Sequence, residues 1–138
     1  MDQILPERCR LLPLRVRGDS RGSLVALERS AGVPFDIARV YYIFDTRQDV
    51  YRGCHAHHQL NQLAVAVHGG CTVILDDGKT RESVRLASPD QGLLIGPMVW
   101  REIHDFTPDC VLLVLADAPY DEADYIRDLD EFRRRAGL

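Results

Sequence analysis

The stretch Tyr51-Arg52-Gly53-Cys54-His55-Ala56-His57-His58 holds three of the chain's five histidines within four residues. On a strand, side chains alternate between faces, so His55 and His57 point one way and His58 the other. Two imidazoles on one face suit either a transition metal or proton transfer near neutral pH. Arg52 stands just before them with planar donors for phosphate or carboxylate. Gly53 lets the backbone turn tightly or approach a ligand closely. A lone histidine at an exposed strand end would be commonplace; a His-x-His pair beside Arg and Gly is not. Cys54 lies next to the pair, but without an activating arrangement it reads as a packing residue rather than a nucleophile.

The elements that must position these residues read as strands. Short apolar runs at 10–16, 23–28, 39–44, 61–68, 71–76, 82–87, 92–95, 99–104 and 110–115 alternate with turn signals. Those signals include Gly18 to Gly22, Gly69-Gly70 as a hairpin turn, Asp77-Gly78, and Pro89, Pro97 and Pro108. Many short strands at regular spacing imply a β-sandwich or barrel. Tyr41 and Tyr42 face opposite ways, so one of them can be core. Gln62, Ala64 and Ala66 share a face, which is either a cavity floor or tight sheet packing. Trp100 is either a stacking surface for a base or sugar, or core. His104 reads as a structural residue and His68 as exposed; Asp76 and Asp77 read as turn formers. After Pro119 the period changes: Asp121 can cap a helix, Ile126, Leu129, Phe132 and Ala136 recur at helical spacing, and Arg133 to Arg135 complement its C-terminal dipole.

The bulk numbers bound the function. The chain has 138 residues, 46% of them hydrophobic, which fits a single domain over 1–138 with its own core. A net charge of −4 argues against a nucleic-acid surface, while local arginines can still hold a small anion. No apolar run is long enough to span a membrane, and Met1 to Pro6 does not read as a signal peptide. Four cysteines without a C-x-x-C pair read as reduced thiols in a cytoplasmic protein.

Taken together the features resemble the cupin barrel: an all-β, antiparallel jelly roll, here with a C-terminal α-helix. Gly53, His55, His57 and Gly69 match its first motif, with Gln62 where a ligating Glu belongs. Gly92 and Pro97 match the second, where the third metal-binding His falls near Arg101 and Glu102. Gln is a weak ligand and Arg repels a cation, so the resemblance implies a cupin without a catalytic metal. The blocks Arg39-Val40-Tyr41-Tyr42, Arg52-Gly53-x-His55-x-His57, Gly92-Leu93-x-Ile95-Gly96-Pro97, Trp100 to Phe106 and Tyr120 to Arg127 resemble, more narrowly, the sugar 3,4-ketoisomerases.

That family moves the ketone of dTDP-4-keto-6-deoxyglucose from C-4 to C-3. The resemblance implies a dTDP-linked keto-sugar as substrate and no cofactor. It implies His55 and His57 as the catalytic pair, with His55 the main proton shuttle, and Tyr41 with them. Arg52, Arg21, Arg101, Gln62 and Trp100 become the substrate-binding residues. It also implies a homodimer, with 10–16 the segment exchanged between subunits. In the galacto-forming type, the residue before Gly22 and the residue after the Trp look like Arg and His; in the gluco-forming type they look like Tyr and Arg. This chain has Arg21 with Arg101, and the turn before 23–28 favours the galacto product. The competing readings are a non-catalytic cupin that binds a nucleotide sugar, a metal-dependent cupin enzyme, and a nucleotide-sugar 3,5-epimerase.

Overall fold

A computed structural model describes residues 3–137. In chain order its strands are Cys9–Pro13 (β1), Arg17–Asp19 (β2), Gly22–Leu24 (β3), Glu28–Arg29 (β4), Gly32–Val33 (β5), Arg39–Ile43 (β6) and Arg52–His57 (β7). Gln62–His68 (β8), Cys71–Asp76 (β9), Arg81–Leu86 (β10), Gln91–Ile95 (β11), Trp100–His104 (β12), Val111–Ala116 (β13) and Tyr125–Ile126 (β14) follow. A single α-helix, Leu129–Arg135 (α1), comes last among the described residues.

Two five-stranded antiparallel sheets, in the orders β1-β11-β8-β13-β6 and β10-β9-β12-β7-β14, make the jelly roll. Their inward residues form one core. Ala66, Leu93, Leu112 and Val114 come from the first sheet; Val73, Leu75, Val84, Leu86 and Ile103 come from the second. β8 sits at the centre of the first sheet and is buried on both faces. Its inward Ala64 and Ala66 join the main core, while Leu63 packs outward with Val33 and Leu115 under Leu27 and Phe35. This double burial explains why its sequence is nearly continuous in apolar residues rather than alternating.

Four sequence expectations change. Gly69-Gly70 does not close a hairpin, because β8 and β9 belong to different sheets. It is the corner at which the chain changes sheet, and a Cβ on Gly70 would lie 2.8 Å from the Leu86 carbonyl oxygen. The strand expected over 23–28 is only the β3 arm of a small hairpin with β2, exposed throughout. The strand expected over 10–16 runs instead from Cys9 to Pro13, paired antiparallel with β11. The single helix expected after Pro119 is divided. Asp121 caps only a 3₁₀ turn at Glu122–Asp124, and Ile126 lies on β14. Asp128 caps α1, its Oδ1 accepting from the Glu131 backbone N–H at 3.0 Å. A helix of seven residues is too short to be stable alone. It is held by Phe132, fully buried against Trp100 with ring centroids 6.0 Å apart. The expected turn roles of Asp76 and Asp77 hold: their Oδ1 atoms accept from Gly78 and from Lys79 and Thr80, each at 2.8 Å.

Candidate active site

β7 carries the His-x-His pair, and its path depends on Gly53. Arg101 of β12 pairs with His55 and Ile103 with Arg52, so β7 holds one more residue than β12 across the same span. The extra residue makes a bulge, and Gly53 takes it up at φ +63°, a left-handed conformation costly to a side chain. The bulge sets His55 directly opposite Arg101. Partners across an antiparallel ladder share a face, so both side chains point into the barrel. β14 flanks β7 on its other side, with Tyr125 opposite His57. Tyr125 and Arg127, two residues apart, therefore join the same face.

The result is a cavity of about 400 Å³ whose lining includes Tyr41, Arg52, His55, Gln62, Arg101 and Arg127. Tyr41 and Gln62 come from the facing sheet. Gln62 and Ala64 supply part of the wall, whereas Ala66 is core. Tyr41 and Tyr42 both border the cavity, but Tyr42 is 62% exposed, whereas Tyr41 is half-buried and its hydroxyl meets Gln62. The Arg39 guanidinium lies 4.8 Å from the centre of the Tyr41 ring, and that of Arg127 lies 4.2 Å from the centre of the Tyr125 ring.

His57 takes a place the sequence did not suggest. Its ring is fully buried behind His55, edge to face at 4.7 Å, and it lines a neighbouring hollow of about 220 Å³ rather than the main cavity. Tyr125 packs against both imidazoles, at 4.9 Å from His55 and 4.3 Å from His57. Nδ1 of His57 lies 3.1 Å from Asp124 Oδ2. A carboxylate at that distance would favour an imidazolium, yet burial, followed by the charges of Arg101, Arg127 and Arg39, pushes His57 down to about 3. A neutral ring donating its Nδ1–H to Asp124 satisfies both observations, and it leaves Nε2 as a bare acceptor. Burial, then Arg101, lowers His55 to about 2. Both imidazoles are thus neutral, proton-accepting groups in the free protein.

Arg101 is 2% exposed and makes no ion pair among the described residues. Its Nε and Nη2 donate to the Val99 carbonyl at 3.2 and 3.0 Å, and Nη1 donates to Gln62 Oε1. Burial lowers it to about 10, so it stays a cation at neutral pH. A buried cation with only neutral partners is costly, and an anion in the cavity would offset that cost. The same cation makes the constellation a poor match to a divalent metal: two imidazoles, an amide and a guanidinium are not a cation's donor set.

Within a single copy of the chain, two residues expected at the site lie away from its cavity. Trp100 precedes Arg101 on β12, so it must face the opposite way. Its indole is core, packed with Ala56, Ile126 and Phe132, and its Nε1–H donates to Glu102 at 2.8 Å. Arg21 caps the exposed β2–β3 hairpin, paired with Asp19 at 2.5 Å, and lines a separate shallow hollow. His104 stacks on Tyr51 at 4.4 Å, and His68 is exposed, as expected of it. Conversely, Asp124, Tyr125 and Arg127 belong to the site although sequence reasoning gave them no role. The alternation Tyr125-x-Arg127 was the available signal, hidden by reading this segment as helix.

A cupin-type jelly roll that sets two neutral imidazoles, one behind the other, beside a buried arginine is the class of fold and site seen here, and the chain's relatives give that class a family. The family described as FdtA, WxcM-like C-terminal, matches residues 7–137, and the chain belongs to it. A TDP-4-oxo-6-deoxy-alpha-D-glucose-3,4-oxoisomerase from Aneurinibacillus thermoaerophilus is 55% identical over 116 residues, 84% of each chain. Among solved structures, the WlaRB TDP-quinovose 3,4-ketoisomerase from Campylobacter jejuni is 50% identical with a TM-score of 0.90, the match covering 94% of this chain and 99% of that one. The 3,4-ketoisomerase QdtA from Thermoanaerobacterium thermosaccharolyticum, solved as a point mutant in complex with TDP-4-keto-6-deoxyglucose, is 39% identical with a TM-score of 0.92, covering 96% of each chain.

Proposed function

We propose that this protein is a 3,4-ketoisomerase that moves the ketone of dTDP-4-keto-6-deoxy-D-glucose from C-4 to C-3. The observation that carries the reading is the facing pair His55 and Arg101, a proton acceptor and a buried cation on one cavity wall, in a chain whose relatives are 3,4-ketoisomerases by name. The proton on C-3 is acidified by the neighbouring C-4 ketone. His55 removes it, and electron density moves onto the C-4 oxygen as an enediolate, beside the Arg101 guanidinium and the Tyr41 hydroxyl. The C-4 oxygen then takes up a proton to become a hydroxyl, the C-3 hydroxyl gives up its own as the new ketone forms, and a proton delivered to C-4 completes the isomerisation. No electrons leave the sugar, so the net reaction needs no oxidant.

An imidazole held near 2 is a weak base in the free protein. Arg101 is the largest contributor after burial itself, and the negative charge of the bound diphosphate sugar counters that cationic field. His57 assists from behind His55, held by Asp124. Arg52 and Arg127 at the cavity wall bind the diphosphate.

The finer parts belong to the same proposal. Arg21 resembles the galacto-forming type, and the product is the galacto 3-keto sugar, although the 50%-identical Campylobacter enzyme is named for quinovose, a gluco sugar. The protein works as a homodimer. β6 is an edge strand with Val40, Tyr42 and, just past its end, Phe44 each more than half exposed, and the β2–β3 hairpin projects with Leu24 57% exposed. A second copy would cover both, and the hairpin rather than β1 is the segment that crosses. It acts in the cytoplasm, where its free thiols stay reduced.

Incubation with dTDP-4-keto-6-deoxyglucose, followed by proton NMR, tests the reaction. A 3-keto product supports it. A sugar inverted at C-3 and C-5 with its 4-ketone intact points to an epimerase instead, and an unchanged sugar to a binding protein. A small H-4 to H-5 coupling fits the galacto product and a large one the gluco product. Sedimentation as a monomer at micromolar concentration would refute the dimer.

A further inference from the structure

Gln62 sits between the two groups that stabilise charge in the reaction proposed above, and its amide can be oriented in only one way. Arg101 has five N–H donors and no acceptor, so the Gln62 atom receiving its Nη1–H must be the carbonyl Oε1. The amide nitrogen then faces the Tyr41 hydroxyl, at 3.2 Å. An amide –NH₂ only donates, so the phenol oxygen must accept. Its own hydrogen is thereby turned away from Gln62, into the cavity it shares with His55.

Resting on the ketoisomerase reading, we propose that Gln62 is a positioning residue: polarised by Arg101, it fixes Tyr41 as a hydrogen-bond donor to the sugar oxygen on which enediolate charge develops. Gln62 also lines the cavity, as a substrate contact would, but the role proposed for it is exerted through Tyr41. Beside a buried guanidinium with no carboxylate partner, Glu would give the stronger pairing. Glu, however, has no N–H to donate. Its second oxygen would accept the Tyr41 hydrogen and turn it away from the substrate. The amide is the one group of that size that accepts from Arg101 and donates to Tyr41 at once. The surroundings agree: burial raises the Tyr41 phenol above its ordinary value, so it remains a donor, while Arg101 and the Gln62 hydrogen bond act in the opposite direction.

The test is Gln62→Glu, with Gln62→Met as the uncharged companion. Gln62→Glu keeps a partner for Arg101, so its melting temperature should equal or exceed the native one. Its kcat should nevertheless fall by about tenfold or more, up to the roughly 10²–10³ seen on losing an oxyanion donor outright, with KM within threefold. Gln62→Met removes both hydrogen bonds and should lose kcat similarly, so the result does not depend on whether the Glu variant folds. In a Tyr41→Phe background Gln62→Glu should cost nothing further. Independently of turnover, a tyrosine titration followed by NMR of ring-labelled protein should place Tyr41 higher in Gln62→Glu than in native protein. Native kcat in Gln62→Glu, a full additional loss in the Tyr41→Phe background, or an unmoved Tyr41 titration would each overturn the proposal. Failure of the native protein to turn over the keto-sugar would instead sink the ketoisomerase reading, and the tyrosine titration would still decide the Gln62–Tyr41 relationship.

Discussion

His57 turns Nδ1 to Asp124 Oδ2 at 3.1 Å and leaves Nε2 buried without a hydrogen-bond partner among the described residues. Asp124 also accepts from the Gln59 backbone N–H at 2.9 Å, and its own carbonyl accepts from His58 N–H at 2.9 Å. One residue thus ties down the end of β7 and selects the tautomer of its second histidine. A carboxylate can only accept at neutral pH, so Nδ1 must carry the hydrogen and Nε2 the lone pair.

Asp124→Asn keeps the size of that group while allowing an N–H to face Nδ1, which favours the other tautomer. Turnover should drop about tenfold or more, short of the 10²–10⁴ expected for removing an acid–base group outright. Steady-state kinetics on a folded variant check this; unchanged kcat would take Asp124 out of the mechanism.

His55→Asn should be the more damaging of the two histidine substitutions, because His55 lines the cavity and His57 does not. A loss of about 10²–10⁴ in kcat is expected for His55→Asn with the fold intact by circular dichroism. His57→Asn should lose less. The reverse order would move the proton shuttle to His57.

Stability should respond to acid. Both imidazoles are lowered from 6.5 in the folded protein, to about 2 for His55 and about 3 for His57. Below pH 6.5 the unfolded chain therefore binds protons that the folded chain does not. Their contribution to stability is complete above pH 6.5 and is lost progressively as pH falls toward about 3. Thermal melts from pH 7.5 to 4.5 should show a falling midpoint, with a shallower slope in His57→Gln. Equal slopes in the two proteins would contradict the assignment of a neutral buried His57.

Trp100 separates packing from binding. Trp100→Ala opens the core between Ala56, Ile126 and Phe132 and should cost about 3–5 kcal/mol by the usual scale for large aromatic truncations. KM for the sugar should stay near native below the melting transition. A stable variant with a strongly raised KM would return Trp100 to the substrate.

The sequence carried much of this site because a strand encodes direction. The i, i+2 spacing of His55 and His57 put them on one face, and the pairing of Tyr41 with Gln62 lies within runs whose strand character was plain. The same rule, applied to β12, would have sent Trp100 away from Arg101; the attraction of an aromatic for a base obscured it. β14 escaped because two residues of strand leave almost no periodicity, while Ile126, Leu129 and Phe132 happen to fall at helical intervals. Gly69-Gly70 was legible as a sharp turn but not as a change of sheet, since turn chemistry does not record which strands pair. The separation of His57 from the cavity depends on Tyr125 and Asp124 arriving from far along the chain, which no local pattern announces.

The most direct test is the proton NMR spectrum of dTDP-4-keto-6-deoxyglucose after incubation with the purified native protein. The account predicts conversion to a dTDP-3-keto-6-deoxyhexose bearing a hydrogen on C-4 that couples to H-5, at a rate that collapses when His55→Asn replaces the native protein. A sugar that keeps its ketone at C-4, whether unchanged or inverted at C-3 and C-5, would contradict it.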